Sequence, residues 1–310
     1  MGNKSCKVIK QGVKPITSSQ IHLGKNNTFN SSDEKSTEPN DRTITSDSVS
    51  KIVEDPPFNN DEESYNMSHP KRGLAVIFNH KIFAPKLGLA ERKGTDIDKE
   101  NLLAVLEELG FNAQVHEDLT YKEFEGVLEN ISSRMDHSES DCILIVVLTH
   151  GEEGILNSND HPYKTTKIWD SFTDGQCPSL AGKPKMFFIQ ACRGENMDHG
   201  VTLTSRTEHD SIPISCNIPN HPDYLVVYST IEGFYSWRNT TMGSWFIRSL
   251  CHHLSECNQT GKDILSGMTA TSRTVAMYFQ SSSYNPSMNN MKQVPCVYST
   301  LTKDVILTVK

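Results

Sequence analysis

Short apolar runs alternate with amphipathic segments from Gly73 to the end of the chain. The runs are rich in Val, Ile, Leu and Phe and are too short for helices, which favours strands buried on both faces. These strands are predicted at residues 73–79, around Ala113, and at 142–150, 185–192, 223–229 and 295–301.

The segments between these runs predict helices. Residues 96–109 place apolar side chains at helical spacing, and Gly110 then favours the left-handed turn that ends a helix. The apolar stripe consists of Ile97, Leu102, Leu103, Leu106 and Leu109. Further helices are predicted around Ile168 and at residues 244–254 and 263–279. Because strands and helices alternate, we expect an α/β protein with a largely parallel sheet.

Another helix start is marked by Thr120 and Glu123, which have the spacing of a capping box. In that motif each of the two side chains accepts a hydrogen bond from the backbone N–H of the other residue. The helical face that follows is predicted to carry Phe124, Val127, Leu128, Ile131 and Met135.

Two of the predicted strands end in reactive side chains. One strand ends in the sequence Gln-Ala-Cys-Arg-Gly, which contains Cys192, and the strand before it ends at His150. Catalytic groups gather at the carboxyl ends of parallel strands, so we expect these two side chains to lie together. A thiol with a reference pKa of about 8.5 is mostly protonated at neutral pH, and an imidazole is its usual base. The pairing predicts a cysteine protease.

The first part of the chain has a different composition. Residues 1–61 are rich in Ser, Thr, Asn, Asp, Glu and Lys, so they offer too little apolar surface to offset the entropy lost on ordering. We therefore expect a disordered extension. The whole chain has a net charge of −8 and no long basic run, which argues against nucleic acid as a partner.

No run approaches the roughly 18 apolar residues of a membrane span, and the amino terminus lacks the apolar region of a secretory signal. We expect a cytoplasmic protein whose eight cysteines stay reduced. The first six residues offer an alternative, because Gly2 starts an approximate myristoylation pattern with Cys6 where Ser or Thr is preferred. Acylation at Gly2 and Cys6 would anchor the chain to a membrane.

Several motifs in a fixed order give the chain a resemblance to the executioner caspases. The Gln-Ala-Cys-Arg-Gly pattern with a histidine some fifty positions earlier is the caspase signature. Segments 92–98, 235–239 and 243–245 accompany it in order, and the resemblance covers residues 65–310. It implies a three-layer fold, in which a mostly parallel six-stranded sheet is flanked by helices on both faces.

The resemblance implies catalytic roles for three residues. Cys192 attacks the peptide carbonyl as a thiolate, and His150 assists it and protonates the leaving amine. The backbone N–H groups of Gly151 and Cys192 hold the developing oxyanion. A glycine at position 151 permits the close backbone approach that this arrangement needs.

The resemblance also implies a pocket for an aspartate side chain. Arg92 and Arg238 correspond to the family's pair of guanidinium groups, which bind a carboxylate through parallel hydrogen bonds. Gln190 adds an amide donor to the same carboxylate. Cleavage is therefore expected after aspartate, with glutamate a poor second.

A second group of residues is implied to line the neighbouring substrate pockets. Tyr235 and Trp237 belong to the pocket for the second residue before the cut, and Asn239 and Trp245 to the pocket for the fourth, with Ser236 in the same segment. Ser282 and Met288 stand where executioner caspases typically carry phenylalanine. The walls of the pocket for the fourth residue before the cut are thus altered. We expect that residue to be aspartate.

Residues 193–222 form an irregular stretch that is too long for an ordinary connection within a compact domain. We predict a zymogen that is activated by cleavage after Asp210, and removal of the front segment by cleavage after Asp47 or Asp61. The predicted parts are a prodomain at 1–61, a large subunit at 62–210 and a small subunit at 211–310.

The resemblance implies a dimer of two large and two small subunits, with residues 295–301 as the contact strand. Expected partners are protein substrates with accessible aspartate motifs, an initiator caspase and inhibitor-of-apoptosis proteins. We expect neither a cofactor nor a metal.

The residues themselves leave two alternatives. Cys251, His252, His253 and Cys257 suggest zinc, but their spacing fits poorly and they have no companion Cys-x-x-Cys. The alternative function is a catalytically inert caspase-like regulator that binds caspases or their inhibitors. Such a protein could lose the cysteine, the histidine or the arginines, and this chain keeps them all.

Overall fold

A six-stranded sheet organises the part of the chain described by the computed structural model, which comprises residues 63–200, 222–282 and 285–308. The strands are β1 Leu74–Asn79, β2 Asn112–Glu117, β3 Ile143–Leu148, β4 Gly151–Glu152, β5 Ile155–Asn157, β6 Pro162–Lys164, β7 Lys185–Gln190, β8 Tyr224–Tyr228, β9 Arg238–Asn239, β10 Gly243–Ser244 and β11 Cys296–Ser299. The helices are α1 Thr95–Glu108, α2 Tyr121–Glu129, α3 Lys167–Asp170, α4 Trp245–Thr260 and α5 Ile264–Tyr278. The expected disordered extension, the acylation sites Gly2 and Cys6, and the cleavage sites Asp47, Asp61 and Asp210 lie outside the described residues.

The order of strands in the main sheet is β11-β8-β7-β3-β1-β2. Every neighbouring pair is parallel except β11 with β8, which is antiparallel. Strands β1, β3, β7 and β8 are buried along their whole length, as expected for parallel strands that are covered on both sides. The prediction of a mostly parallel six-stranded sheet is confirmed.

Alternate side chains of the strands enter two separate apolar cores. On one face, Ile77, Val146 and Phe188 pack against α1, α4 and α5. On the other face, Phe78 and Phe187 pack against α2 and α3. The sheet is therefore the middle of three layers, as predicted. Among the described helices, none combines the length and the apolar character needed to cross a membrane.

The local signals at the helix ends are confirmed. The hydroxyl of Thr120 accepts from the N–H of Glu123, whose carboxylate accepts from the N–H of Thr120, so the capping box is complete. Gly110 follows α1 with φ +82°, a conformation that side chains other than glycine rarely adopt.

The prediction for Met135 was wrong. The chain leaves α-helical geometry after α2 and forms a π-helical turn over Asn130–Arg134, closed by the N–H of Met135 donating to the carbonyl of Asn130. This turn takes up more residues than an α-helical turn, so the apolar spacing of α2 is lost. Ile131 stays buried, whereas Met135 is 37% exposed.

The short strands were not predicted. β4, β5 and β6 form a small antiparallel sheet, and β9 pairs with β10. Each has only two or three residues, too few to show an alternating pattern. The main strands are also shorter than predicted, so Cys142 precedes β3 and Cys192 follows β7.

Candidate active site

Neighbouring strands deliver His150 and Cys192 to the same edge of the sheet. β3 and β7 are paired in parallel up to Leu148 and Gln190, and the Thr149 N–H continues the ladder by donating to the Gln190 carbonyl at 3.1 Å. The two catalytic candidates follow directly in the chain. A Cβ atom placed on Gly151 would lie 2.9 Å from the Cys192 carbonyl oxygen, so the two loops are in contact.

The small sheet supports the histidine loop. The backbone N–H and the side-chain amide of Asn157 both donate to the His150 carbonyl, each at 3.1 Å. The Thr149 hydroxyl donates to the Asn157 carbonyl at 2.5 Å. These contacts fix the backbone on both sides of the imidazole.

The His150 ring is held by a carbonyl that no side-chain motif reveals. Its Nε2 lies 2.8 Å from the carbonyl oxygen of Ala90, and its ring centroid lies 5.0 Å from that of Phe83. A carbonyl can only accept, so Nε2 carries the proton and Nδ1 is the basic nitrogen. Burial and the positive charges of Arg92 and Arg238 lower the pKa of His150 to about 4, against the opposing effect of the Ala90 bond.

The Cys192 thiol lies against the backbone of Ser236. Its Sγ is 3.5 Å from the Ser236 nitrogen and 3.8 Å from the Ser236 oxygen. Burial raises the pKa of Cys192, while the Ser236 bond and the charges of Arg238 and Arg92 act in the opposite direction. With both pKa values displaced this way, the resting site holds a neutral thiol and a neutral imidazole at pH 7.

Two backbone N–H groups point to an oxyanion site. In an antiparallel pair, successive residues of a strand point their N–H groups alternately towards and away from the neighbouring strand. His150 is hydrogen-bonded to Asn157, so the N–H of Gly151, the next residue in the chain, points away from β5. Within the described residues, the Cys192 N–H has no hydrogen-bond acceptor. Both groups are thus available to an oxygen on the substrate.

Glycines permit the close packing of these loops. A Cβ on Gly151 would also meet the Ile155 carbonyl oxygen at 2.8 Å, so no other residue fits there without movement. Gly194 has φ +154°, and its Cβ would lie 2.4 Å from the backbone of Gly233. The segment after Cys192 therefore packs directly on the backbone of the facing loop.

Arg92 is completely buried and only partly satisfied. Its Nη1 donates to the His80 carbonyl at 3.0 Å and to the Thr95 hydroxyl at 2.8 Å. Its Nε and Nη2, which share the other edge of the guanidinium, are buried with no acceptor in the described residues. Burial and then Arg238 lower the pKa of Arg92 to about 9, which leaves the group charged at pH 7. The structure thus presents an unpaired bidentate fork.

Arg238 lies in β9 within electrostatic reach of Arg92 and Cys192. Its Nε donates to the Lys93 carbonyl at 2.9 Å. Burial lowers the pKa of Arg238, while Asp98 and Cys192 act in the opposite direction. Two guanidinium groups so close together suit a negatively charged ligand.

Gln190 meets the same region from the end of β7. Its Nε2 donates to the Ser236 hydroxyl at 2.7 Å, and its Oε1 is buried with no partner among the described residues. The side chain therefore links the cysteine strand to the segment that contacts the Cys192 thiol.

A buried carboxylate fastens the Arg238 hairpin to α1. Asp98 accepts from the N–H of Ser244 at 2.7 Å and from its hydroxyl. Burial raises the pKa of Asp98, and the Ser244 bonds and the two arginines oppose that shift. A Cβ on Gly243 would lie 2.4 Å from the Asp98 carboxylate, and one on Gly94 would lie 2.6 Å from the Asn239 carbonyl.

The predicted aromatic residues form a continuous column. Ring centroids are 6.3 Å apart between Tyr235 and Trp237 and 5.9 Å apart between Trp237 and Trp245, and Phe279 extends the stack at 5.5 Å. Phe279 was missed because it ends a helix pattern and gave no separate signal.

The remaining predicted pocket residues are placed less centrally. Asn239 is exposed, and its side-chain oxygen accepts from the N–H groups of Thr241 and Met242, which caps the hairpin turn. Ser282 is exposed and Met288 is half-buried. The structure therefore gives Asn239 a role in the hairpin in addition to any contact with substrate.

The possible zinc ligands that the structure brings together differ from those that the sequence suggests. His252, His253 and Glu256 bring ligand atoms within 4.8 Å of one another on α4. His253 already uses both nitrogens, with Nδ1 2.9 Å from Glu256 and Nε2 2.8 Å from the Thr274 hydroxyl. Protein contacts thus already satisfy His253 and Glu256.

Comparison with known proteins gives a consistent result. A sequence description of the caspase domain, peptidase family C14, matches residues 72–306. Caspase drICE of Drosophila melanogaster is 48% identical over 242 residues, which cover 77% of this chain and 70% of drICE. Caspase-3 of Bos taurus is 40% identical over 245 residues, which cover 79% of this chain and 87% of the relative.

The fold has a solved counterpart. The crystal structure of Caspase-1 from Spodoptera frugiperda superimposes with a TM-score of 0.73 at 42% identity, covering 83% of this chain and 97% of that one. Relatives such as drICE, Caspase-3 and Caspase-7 are executioner caspases. The family match is consistent with the parallel sheet and with the cysteine and histidine at its edge. The chain belongs to the caspase family of cysteine proteases.

Proposed function

We propose that the chain is an endopeptidase that cleaves proteins after aspartate and acts as an executioner caspase in apoptosis. The observation that carries this proposal is the unpaired Nε and Nη2 edge of Arg92, buried and charged within electrostatic reach of the Cys192 thiol. Such an edge is complementary to a carboxylate, which accepts two parallel hydrogen bonds.

The reaction begins from a neutral thiol and imidazole. Cys192 Sγ gives its proton to Nδ1 of His150 and forms a bond to the substrate carbonyl carbon, while the N–H groups of Gly151 and Cys192 receive the oxyanion. His150 then gives that proton to the leaving amine as the C–N bond breaks, which leaves a thioester. Water, deprotonated by His150, hydrolyses the thioester and frees the thiol.

Specificity follows from charge and from unpaired donors. An aspartate carboxylate neutralises a pocket that contains two guanidinium groups and the Asp98 carboxylate, and it satisfies donors that are otherwise buried without partners. An asparagine has the same shape but no charge, so it leaves the guanidinium groups less satisfied. Discrimination of about 10⁴-fold is usual for sites of this type.

Activation is proposed to require cleavage after Asp210, between a large subunit at 62–210 and a small subunit at 211–310, with the prodomain removed at Asp47 or Asp61. An initiator caspase would make the first cut, and inhibitor-of-apoptosis proteins would bind the product. β11 forms one edge of the sheet with Val297 and Tyr298 half-buried, which supports its role as the strand between two copies in the dimer. The protein is proposed to act in the cytoplasm, and an unmodified amino-terminal peptide mass would exclude acylation at Gly2 and Cys6.

The test uses the full-length wild-type chain and two variants. Wild type should cut itself after Asp210 and release dye from a peptide that carries aspartate before the cut, but not from the matched asparagine peptide. Cys192→Ala should do neither, because the nucleophile is missing. Cys251→Ala, which removes a half-buried thiol from α4, should behave as wild type.

A further variant separates activation from catalysis. Replacing residues 207–210 with the recognition sequence of an unrelated protease allows the connection to be cut at will. Activity that rises steeply after that cut supports the zymogen. If this variant, whose active site is unchanged, releases no dye from the aspartyl peptide after it has been cut, the inert regulator would be favoured.

A further inference from the structure

We propose that Thr95 and Asn79 are positioning residues that aim the Arg92 guanidinium at the substrate aspartate, an inference that rests on the proposed function. Neither residue is part of the predicted substrate pocket. Both act on the edge of Arg92 that faces away from the substrate.

A linear relay of hydrogen bonds connects the three side chains. Arg92 Nη1 donates to the Thr95 hydroxyl at 2.8 Å, and that hydroxyl donates to Asn79 Oδ1 at 2.7 Å. Arg92 and Thr95 are fully buried, and Asn79 is 1% exposed. The relay is therefore shielded from bulk solvent.

The direction of the relay follows from chemistry alone. A guanidinium can only donate, so the Thr95 oxygen receives the bond from Arg92 and its own proton must go elsewhere. The neighbouring atom of Asn79 must then be the carboxamide oxygen. Asn79 thus fixes the rotation of the Thr95 hydroxyl and keeps its lone pair turned towards Arg92.

The relay explains why the other edge of Arg92 stays unpaired. The hydrogens of Nη1 are taken by the His80 carbonyl and the Thr95 hydroxyl. The planar guanidinium is thereby held in one rotation, which leaves the Nε and Nη2 pair free. Without the Thr95 hydroxyl, the guanidinium can turn towards another acceptor, and the substrate carboxylate must then reorder it.

Asn79 carries a second sign of a positioning role. Its Nδ2 is buried with no acceptor in the described residues, which costs stability. An apolar residue of similar size would remove that cost but would leave the Thr95 hydroxyl proton without its acceptor, so the asparagine acts through the relay and not through its amide nitrogen. Asn79 ends β1 and Thr95 begins α1, so two regular elements hold the relay.

The experiment compares Thr95→Val, Thr95→Ser and Asn79→Leu with wild type in the activated full chain. Each enzyme is assayed with two peptides that differ only in aspartate or asparagine before the cut. The matched control is Thr271→Val, which replaces a buried threonine in α5 whose hydroxyl donates to the Gly267 carbonyl, outside the relay. Melting temperature and the rate of Cys192 alkylation by iodoacetamide are measured for all.

We expect Thr95→Val to raise KM for the aspartyl peptide about tenfold or more and to reduce the preference for aspartate over asparagine to a similar extent. Thr95→Ser keeps the hydroxyl and should stay within about threefold of wild type. Asn79→Leu should lose selectivity with little change in melting temperature, because removal of the unpaired Nδ2 offsets the loss of the acceptor for the Thr95 hydroxyl. Alkylation of Cys192, which does not use the pocket, should not change.

Three results would overturn the inference. They are full aspartate selectivity in Thr95→Val, equal losses in Thr95→Val and Thr95→Ser, or a fall in melting temperature and alkylation rate that parallels the loss of activity. A wild-type enzyme that fails to prefer aspartate would instead refute the proposed function, so the two failures are distinct.

Discussion

The imidazole Nε2 of His150 lies 2.8 Å from the carbonyl oxygen of Ala90, and this contact decides which ring nitrogen acts as the base. The neighbouring arginines and the burial of the ring keep it neutral, since they lower its pKa to about 4. Burial raises the pKa of the Cys192 thiol, so the resting site is uncharged apart from its arginines and Asp98.

A neutral resting pair predicts the pH dependence of Cys192 alkylation. The rate with iodoacetamide should rise steadily from pH 7 and reach half its maximum above about 8.5, the ordinary thiol value. His150→Ala should change this profile little, because the free imidazole carries no charge to stabilise a thiolate. Mass spectrometry of the Cys192 peptide measures the rate. A plateau near pH 6 that disappears in His150→Ala would show an ion pair instead.

The buried His80 predicts a loss of stability in mild acid. Burial and then Arg92 lower its pKa to about 4, whereas an unfolded histidine titrates near 6.5. Above pH 6.5 both states are neutral, and between 6.5 and 4 only the unfolded chain takes up the proton. His80 alone should therefore cost about 2 kcal/mol of unfolding free energy at pH 5 relative to pH 7. Urea unfolding of Cys192→Ala with and without His80→Phe measures the difference, and equal pH slopes would contradict it.

Gly151→Ala should abolish most activity. The new Cβ would lie within 3 Å of the Ile155 and Cys192 carbonyl oxygens, so the histidine loop must move away from the cysteine loop. We expect kcat/KM to fall by about 100-fold or more. Gly126→Ala, in a helix with free space around it, is the control and should leave kcat/KM unchanged. A fully active Gly151→Ala enzyme would show that close approach is not needed.

Arg92→Lys should remove aspartate selectivity although it keeps the charge. An ammonium group cannot present two parallel donors. The substitution also leaves the His80 carbonyl and the Thr95 hydroxyl without the donor that Arg92 Nη1 supplies. We expect kcat/KM for the aspartyl peptide to fall about 10³-fold and the asparagine peptide to change much less. Arg134→Lys, on the exposed turn after α2, is the matched control. Retained preference for aspartate would assign the pocket to Arg238 alone.

The parts of the fold that follow periodic patterns were predictable. β3 is an unbroken apolar run and the middle of β7 is apolar, so the burial of both strands and the placement of His150 and Cys192 at one edge of the sheet could be inferred from the sequence. The capping box at Thr120 was equally clear, because both of its bonds are local. Met135 was misplaced because a π-turn changes the helical spacing without a distinctive residue pattern.

The contacts that orient the site could not be predicted in the same way. Ala90 contributes only a carbonyl oxygen, and any residue supplies one. Thr95 and Asn79 are 16 positions apart and meet only because β1 ends beside the start of α1. The Asp98 bond to Ser244 spans 146 positions. Such pairings depend on how the layers pack, which a single sequence does not display.

Strands β7 and β8 are neighbours at five register positions, although residues 191–223 separate them in sequence. Scission of the chain between them would therefore leave the hydrophobic interior undivided. The two polypeptides would elute together and melt in one calorimetric transition, and they would part only in denaturant. Neither polypeptide would fold on its own, because the central sheet needs strands from both. A cut between β7 and β8 would therefore leave the fold unchanged.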